Sequence, residues 1–153
     1  MTMPARHITQ GLDRTTRPVQ AEVDARPRPR TVGPITQTDI VRFAGAGGDF
    51  NPLHHDLGFA ASAGFQRPIA MGQLTAGLLA GWLTDWCGVE NLLRYEVRFT
   101  ASLTIGDVVE LSGVVTSVEE LKDGFGVATV ELTAARGKDL LVTGRASVVV
   151  ETG

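Results

Sequence analysis

Gly72-Gln73-Leu74-Thr75-Ala76-Gly77-Leu78-Leu79-Ala80-Gly81-Trp82-Leu83-Thr84-Asp85-Trp86 reads as the principal helix of this chain. Its large apolar residues, Leu74, Leu78, Leu79, Trp82, Leu83 and Trp86, are spread widely around a helical wheel, which predicts burial nearly all round. Ala76, Gly77, Ala80 and Gly81 lie between them, and each helical glycine costs about 1 kcal/mol relative to alanine. Close approach by a neighbouring sheet is the expected reason for accepting that cost.

The residues that follow supply such a sheet. Leu93, Tyr95, Val97 and Phe99 alternate with Arg94, Glu96, Arg98 and Thr100, a period of two with one face toward a core. Residues 108–118, 125–134 and 140–150 continue the pattern, separated by turns at Ile105-Gly106-Asp107, Lys122-Asp123-Gly124 and Arg136-Gly137-Lys138-Asp139. Four consecutive strands with short loops predict an antiparallel meander, and the helix ahead of them needs a concave sheet to lie in. The fold class is α+β, an antiparallel sheet wrapped around a long buried helix.

Upstream, Thr36-Gln37-Thr38-Asp39 places a hydroxyl at an N-cap and a carboxylate three residues on, predicting a helix of about ten residues. Ile40, Phe43 and Ala44 share one face of it, and Gly45, Gly47 and Gly48 end it, with close backbone approach expected there. Residues 1–18 lack a period and read as a flexible or weakly attached arm. Val19 to Val23 alternates briefly, but Pro27 and Pro29 stop any continuation, so a short edge strand is the most this region offers. The domain organisation is thus an N-terminal arm over 1–30 and one domain over 31–153.

The composition agrees with a single domain: 153 residues, 43% hydrophobic and 20% charged, are enough to bury a core. Six of the 14 basic residues fall within residues 1–31, so the folded part is acidic. With no basic stripe and no clustered aromatics, a nucleic-acid partner is not expected. The principal helix is shorter than the roughly 20 residues a membrane span needs. The N-terminus lacks the apolar core of a signal peptide, which makes cytoplasmic the expected location. The single cysteine, Cys87, has no partner for an intramolecular disulfide and no base signature beside it. Gly45-Ala46-Gly47 does not lead from a strand into a helix, so a dinucleotide site is excluded.

Chemistry concentrates in Asp49-Phe50-Asn51-Pro52-Leu53-His54-His55-Asp56 and in Pro68-Ile69-Ala70-Met71-Gly72. Pro52 fixes its own φ and biases Asn51 away from the helical region, so Asp49 to His54 should form a defined turn in which side chains converge. Asp49 and His54 are two proton-transfer groups, and Asn51 can orient either of them or a water. Such a set suits adding or removing water. Singly, Asp49 and Asn51 also suit ordinary turn chemistry, and His54 a structural role. His54, His55, Asp49 and Asp56 are all potential metal ligands, but adjacent histidines point apart and no second cluster completes a site, so no metal is expected. Gly72, at a helix start, offers either a tight packing position or a backbone N–H aimed at a developing oxyanion.

These segments resemble the MaoC-like, hotdog-fold family of (R)-specific enoyl-CoA hydratases and 3-hydroxyacyl-thioester dehydratases, including its mycobacterial hydroxyacyl-ACP dehydratases. The resemblance runs from about residue 31 to the end. It is carried by Thr36 to Ala44, by the Asp49–Asp56 motif, by Ile69-Ala70-Met71-Gly72, and by Tyr95-Glu96-Val97-Arg98-Phe99-Thr100.

The resemblance implies a hotdog fold and a hydro-lyase of fatty-acid or other lipid metabolism. Asp49 and His54 would hold the water, Asn51 would assist, and the Gly72 N–H would act as oxyanion donor, with Pro52, Ala70 and Met71 binding substrate. It implies no cofactor beyond the CoA or acyl-carrier-protein thioester of the substrate. The assembly implied is a homodimer or higher oligomer, or a heterodimer with a related hotdog subunit. Met71 stands where the family usually has histidine, Gln73 where it has methionine, and Gly47 where serine is common before the Asp. Two alternative functions keep the fold: a non-catalytic, acyl-binding subunit of a hetero-oligomeric dehydratase, and a thioesterase.

Overall fold

In the computed structural model, which describes residues 17–153, the principal helix runs from Gly72 to Cys87 (α3) and lies against a single antiparallel sheet. The strands are Arg30–Val32 (β1), Leu92–Phe99 (β2), Val109–Glu120 (β3), Phe125–Arg136 (β4) and Asp139–Glu151 (β5), arranged in space as β1-β3-β4-β5-β2. Two further helices precede α3, Gln37–Gly47 (α1) and Leu57–Ser62 (α2). The expectations for residues 1–16, most of the loose arm, lie outside the described residues. No helix among the described residues is long and apolar enough to cross a membrane.

The core is the space between α3 and the sheet. Leu79 and Leu83 of α3 are fully buried against Val109, Leu111, Val115, Val130, Leu132 and Val148. Each such side chain contributes about 1.5–3 kcal/mol by leaving water. Alternation along β4 is strict, with every second residue from Gly126 to Ala134 buried. This is the predicted helix wrapped by antiparallel strands, the hotdog arrangement.

Four details of the sequence reading are corrected. First, α3 is not buried all round: Gln73, Gly77, Gly81 and Asp85, four apart, form an exposed stripe. A Cβ on Gly81 would meet nothing within 4 Å and one on Gly77 would only graze Phe43, so no strand presses on them. The close approach is made by the sheet's own glycine, for a Cβ on Gly113 would lie 3.2 Å from the Trp82 ring. Likewise Gly45, Gly47 and Gly48 face open space; Gly48 is needed for the left-handed cap that ends α1, at φ 69°.

Second, the four long strands are not one meander. β3, β4 and β5 are joined by tight turns, but β2 pairs with β5 at the far edge. The chain after β2 must therefore cross the end of the sheet to reach β3. The crossing segment, residues 100–108, is fixed by Thr100 N–H and Ala101 N–H to the Leu141 carbonyl, Ala70 N–H to the Leu103 carbonyl and Thr104 N–H to Asp107.

Third, the inward row of β2 begins with Leu92 rather than Leu93. Leu92 pairs with Val148 and Arg94 with Ser147, so Leu93 is an extra residue, a bulge that turns it outward. Fourth, β1 and α2 were not anticipated. β1 pairs with β3 directly after Pro27 and Pro29, and α2 is a six-residue helix capped by the Asp56 side chain on Phe59 N–H.

Ahead of β1, Gln20 makes a parallel bridge to Glu151 and Arg17 forms an ion pair with Glu151 at 2.6 Å. The chain then reaches the edge of β3, where Asp24 N–H and Ala25 C=O pair with Val115. Val19, Ala21 and Ala25 pack against the core on the way, and the Arg28 carbonyl accepts the Trp82 indole N–H at 3.0 Å.

Candidate active site

The Thr36/Asp39 capping box starts α1 as its sequence predicts, with Asp39 N–H on the Thr36 hydroxyl and Thr36 N–H on the Asp39 carboxylate. Ile40 and Ala44 bury one face, and the left-handed Gly48 turns the chain so that Asp49 follows directly. Pro52 begins a single 3-10 turn over Pro52–His54. Asn51 organises this turn with its side chain, whose Oδ1 accepts Leu53 N–H at 3.0 Å, and its own N–H reaches Asp49 Oδ1 at 3.3 Å. The Asx chemistry and the site geometry are thus parts of one turn.

The turn drives His54 inward and leaves His55 exposed. His54 is 7% exposed, and its Nδ1 lies 2.7 Å from the Ile69 carbonyl. A carbonyl only accepts, so Nδ1 carries the hydrogen and Nε2 is the nitrogen free to exchange protons. Nε2 lies 3.4 Å from Asp49 Oδ2, a spacing at which both atoms can touch one water oxygen. Gln37 was not singled out from sequence, yet its side-chain amide donates to the His54 carbonyl at 2.9 Å and ties the turn to the start of α1.

Asp49, His54, Ala70, Met71 and Gly72 line one cavity of about 460 Å³, together with Thr75 of α3, Phe99 at the end of β2, Thr100 to Leu103 after it, and Val142 of β5. Of the residues anticipated from sequence, Asn51 and Pro52 do not line it; both are exposed and act through the turn. The far wall was not anticipated, because residues 100–103 come from the segment that crosses the sheet end and Phe99 from the strand end that feeds it. Met71, 3% exposed, is the N-cap of α3 and makes no side-chain cap. Gly72 is the first helical residue, so its N–H has no intrahelical acceptor and sits at the positive end of the helix dipole. The donor end of α3 and the Asp49/His54 pair therefore open on the same space.

Other reactive groups are kept out of it. Burial pushes the Cys87 thiol up to about 11, so it stays protonated at neutral pH, and it lies at the opposite end of α3. Burial likewise pushes Tyr95 up to about 12, and its hydroxyl donates to the Ala76 carbonyl. Among the described residues no group of three or more His, Cys, Asp or Glu side chains converges as a metal site.

The family described as "MaoC like domain" matches residues 18–136. The (R)-specific enoyl-CoA hydratase of Aeromonas caviae is 36% identical over 112 residues, covering 72% of this chain and 82% of that one. The 3-hydroxybutyryl-CoA dehydratase of Methylorubrum extorquens is 36% identical over 118 residues, covering 76% and 73%. Among solved structures, a chain of the ChsH1-ChsH2 complex from Mycobacterium tuberculosis superposes with a TM-score of 0.72 at 25% identity, over 86% of this chain and 99% of that one. Sequence, fold and relatives agree, and the chain belongs to the MaoC-like hotdog family of enoyl-thioester hydratases and dehydratases.

Proposed function

We propose that this protein reversibly adds water to trans-2-enoyl thioesters, giving (R)-3-hydroxyacyl thioesters, with Asp49 and His54 as the proton-transfer pair and the Gly72 N–H as oxyanion donor. The observation that carries the reading is the 3.4 Å Asp49 Oδ2 to His54 Nε2 pair facing the cavity that the first turn of α3 also lines. The names of the hydratase and dehydratase relatives support both directions of the reaction and the R configuration.

In the hydration direction, one member of the pair takes a proton from water as the water oxygen bonds to C3. The alkene electrons move onto the thioester carbonyl, and the resulting enolate oxygen is held by Gly72 N–H at the positive helix end. The other member then delivers a proton to C2, where the electron pair returns. The two groups are left with exchanged protonation, and one proton passed between them restores the starting state. One water is consumed, no electrons leave the substrate, and the step calls for neither redox cofactor nor metal. Ala70 and Met71 form the wall beside the acyl group, while Asn51 and Pro52 hold the turn that aims Asp49 and His54.

The acyl group is carried as a CoA or carrier-protein thioester. The likeness to a subunit of a two-component complex supports a hotdog partner, either a second copy or a related subunit. The test is the purified chain with crotonyl-CoA, alone and with a candidate companion subunit, following enoyl absorbance and free thiol together. Loss of enoyl absorbance without thiol release is expected from this chain alone. Thiol release would make it a thioesterase, and activity that appears only with a companion carrying its own Asp/His pair would make it an acyl-binding subunit.

A further inference from the structure

Position 72 is glycine for a reason that lies on another strand. Its φ is not in the left-handed region, so its backbone suits any residue. A Cβ there, however, would come within 2.9 Å of Phe99 Cδ1 and Cε1 and 3.3 Å of Cζ. The inward row of β2, Tyr95, Val97 and Phe99, runs beneath α3: the Tyr95 hydroxyl meets the Ala76 carbonyl, and four residues earlier on the helix the Phe99 ring lies against Gly72. Phe99 is the last residue of β2, paired with Val142, and both line the cavity. Phe99 is 50% exposed, with its ring atoms against the helix start.

We propose that Phe99 is a positioning residue that covers the flank of the Gly72 amide, excluding bulk water from the donor while the cavity side stays open to the thioester carbonyl. An N–H that bulk water can approach from fewer directions is a stronger and better-fixed partner for a developing oxyanion. Glycine at 72 is what lets the ring come close enough to do this. The inference rests on the reading of Gly72 as oxyanion donor, but the cover itself is measured without substrate.

Amide hydrogen exchange at Gly72, compared with Leu79 in the middle of α3, reads the cover directly. Phe99→Ala should speed exchange at Gly72 by about tenfold or more and leave Leu79 unchanged, while Phe99→Leu, which keeps an apolar cover, should stay within about threefold of wild type. In turnover of crotonyl-CoA, Phe99→Ala should lower kcat by about tenfold with KM changed by less than about threefold. Gly72→Ala should lose about a hundredfold in the wild-type background but little more once Phe99 is alanine.

Unchanged Gly72 exchange in Phe99→Ala, or equal acceleration at Leu79, overturns the cover. Faster exchange at Gly72 with kcat intact overturns its part in catalysis. A Gly72→Ala loss that is the same size with and without the ring overturns the explanation of the glycine. If the wild-type chain does not hydrate enoyl thioesters, it is the proposed function that fails, and the exchange comparison still decides the cover.

Discussion

Among the described residues, one cavity of about 570 Å³ lies between α1, residues 32–35 and the Leu74/Leu78 side of α3, and another of about 460 Å³ lies at the start of that helix. The larger is mostly apolar, and its polar groups are Asp39 and Arg42. Asp39 is committed to the Thr36 hydroxyl and N–H, which hold its carboxyl below the usual carboxylate range. Among the described residues no imidazole lines this cavity, and the start of α1 that borders it is closed by its own capping box. The smaller cavity has an imidazole with one nitrogen fixed by a carbonyl, a carboxylate 3.4 Å from the other nitrogen, and the first amide of α3. What separates the two is whether the groups are already satisfied by the fold; volume does not locate the chemistry.

Several measurements can break or sharpen this contrast. The largest effect is expected from Asp49→Asn and His54→Ala, each lowering kcat for enoyl hydration by about 10³-fold or more, with the thermal midpoint little moved in Asp49→Asn and lowered in His54→Ala by loss of the buried bond to the Ile69 carbonyl. Wild-type turnover in either folded variant would remove the distinction between the cavities.

Next comes the support under the smaller cavity. Burial raises the Asp107 carboxyl, but hydrogen bonds from Thr104 N–H, the Arg136 guanidinium and the Thr104 hydroxyl outweigh it and hold the group below its ordinary value. Because the folded-state value is depressed, its stabilisation is complete above the unfolded-state value near about 4 and is lost as pH falls through the folded one. Asp107→Asn should cost about 1–3 kcal/mol at neutral pH and flatten the acid decline below about pH 4, measured by urea unfolding at several pH values.

Gln37→Ala should act on the site more than on the fold. Losing the tether to the His54 carbonyl should lower kcat by about threefold to tenfold, with about 1 kcal/mol of stability lost, and Gln37→Glu should not restore it because a carboxylate cannot donate to that carbonyl. The smallest effect is reserved for the larger cavity: Ala46→Trp, which narrows it, should leave kcat within about twofold of wild type. A marked loss there would mean that this groove holds part of the substrate.

How much of this could be read from the sequence follows the range of the interactions. The capping box at Thr36/Asp39, the start of α3 at Gly72 and the alternation of β3 to β5 are local patterns, and each appears where the residues place it. The 49–54 turn was legible for the same reason, since Pro52 and the Asx side chains act within a few residues of themselves. Which strand β2 would choose was not legible: alternation says that Tyr95 and Val97 face a core, but not whether β3 or β5 lies beside them. With that pairing went the 100–103 wall of the cavity, the contact of Phe99 with Gly72 and the reach of Gln37 to His54, all of which join residues far apart in sequence. The Leu93 bulge escaped because Leu92 and Leu93 are chemically alike, so the pattern fits either register. The six residues of α2 are too few for a helical period to stand out.

That bulge has a bearing on assembly. β2 lies at the rim of the sheet, and among the described residues its outer N–H and C=O groups face no other strand. The kink at Leu93 together with the alternating Arg94, Glu96 and Arg98 makes this rim hard to extend by just any extended peptide. A newcomer has to begin its ladder past the kink and offer complementary charges at those positions, so the border of the sheet acts as a filter against promiscuous aggregation.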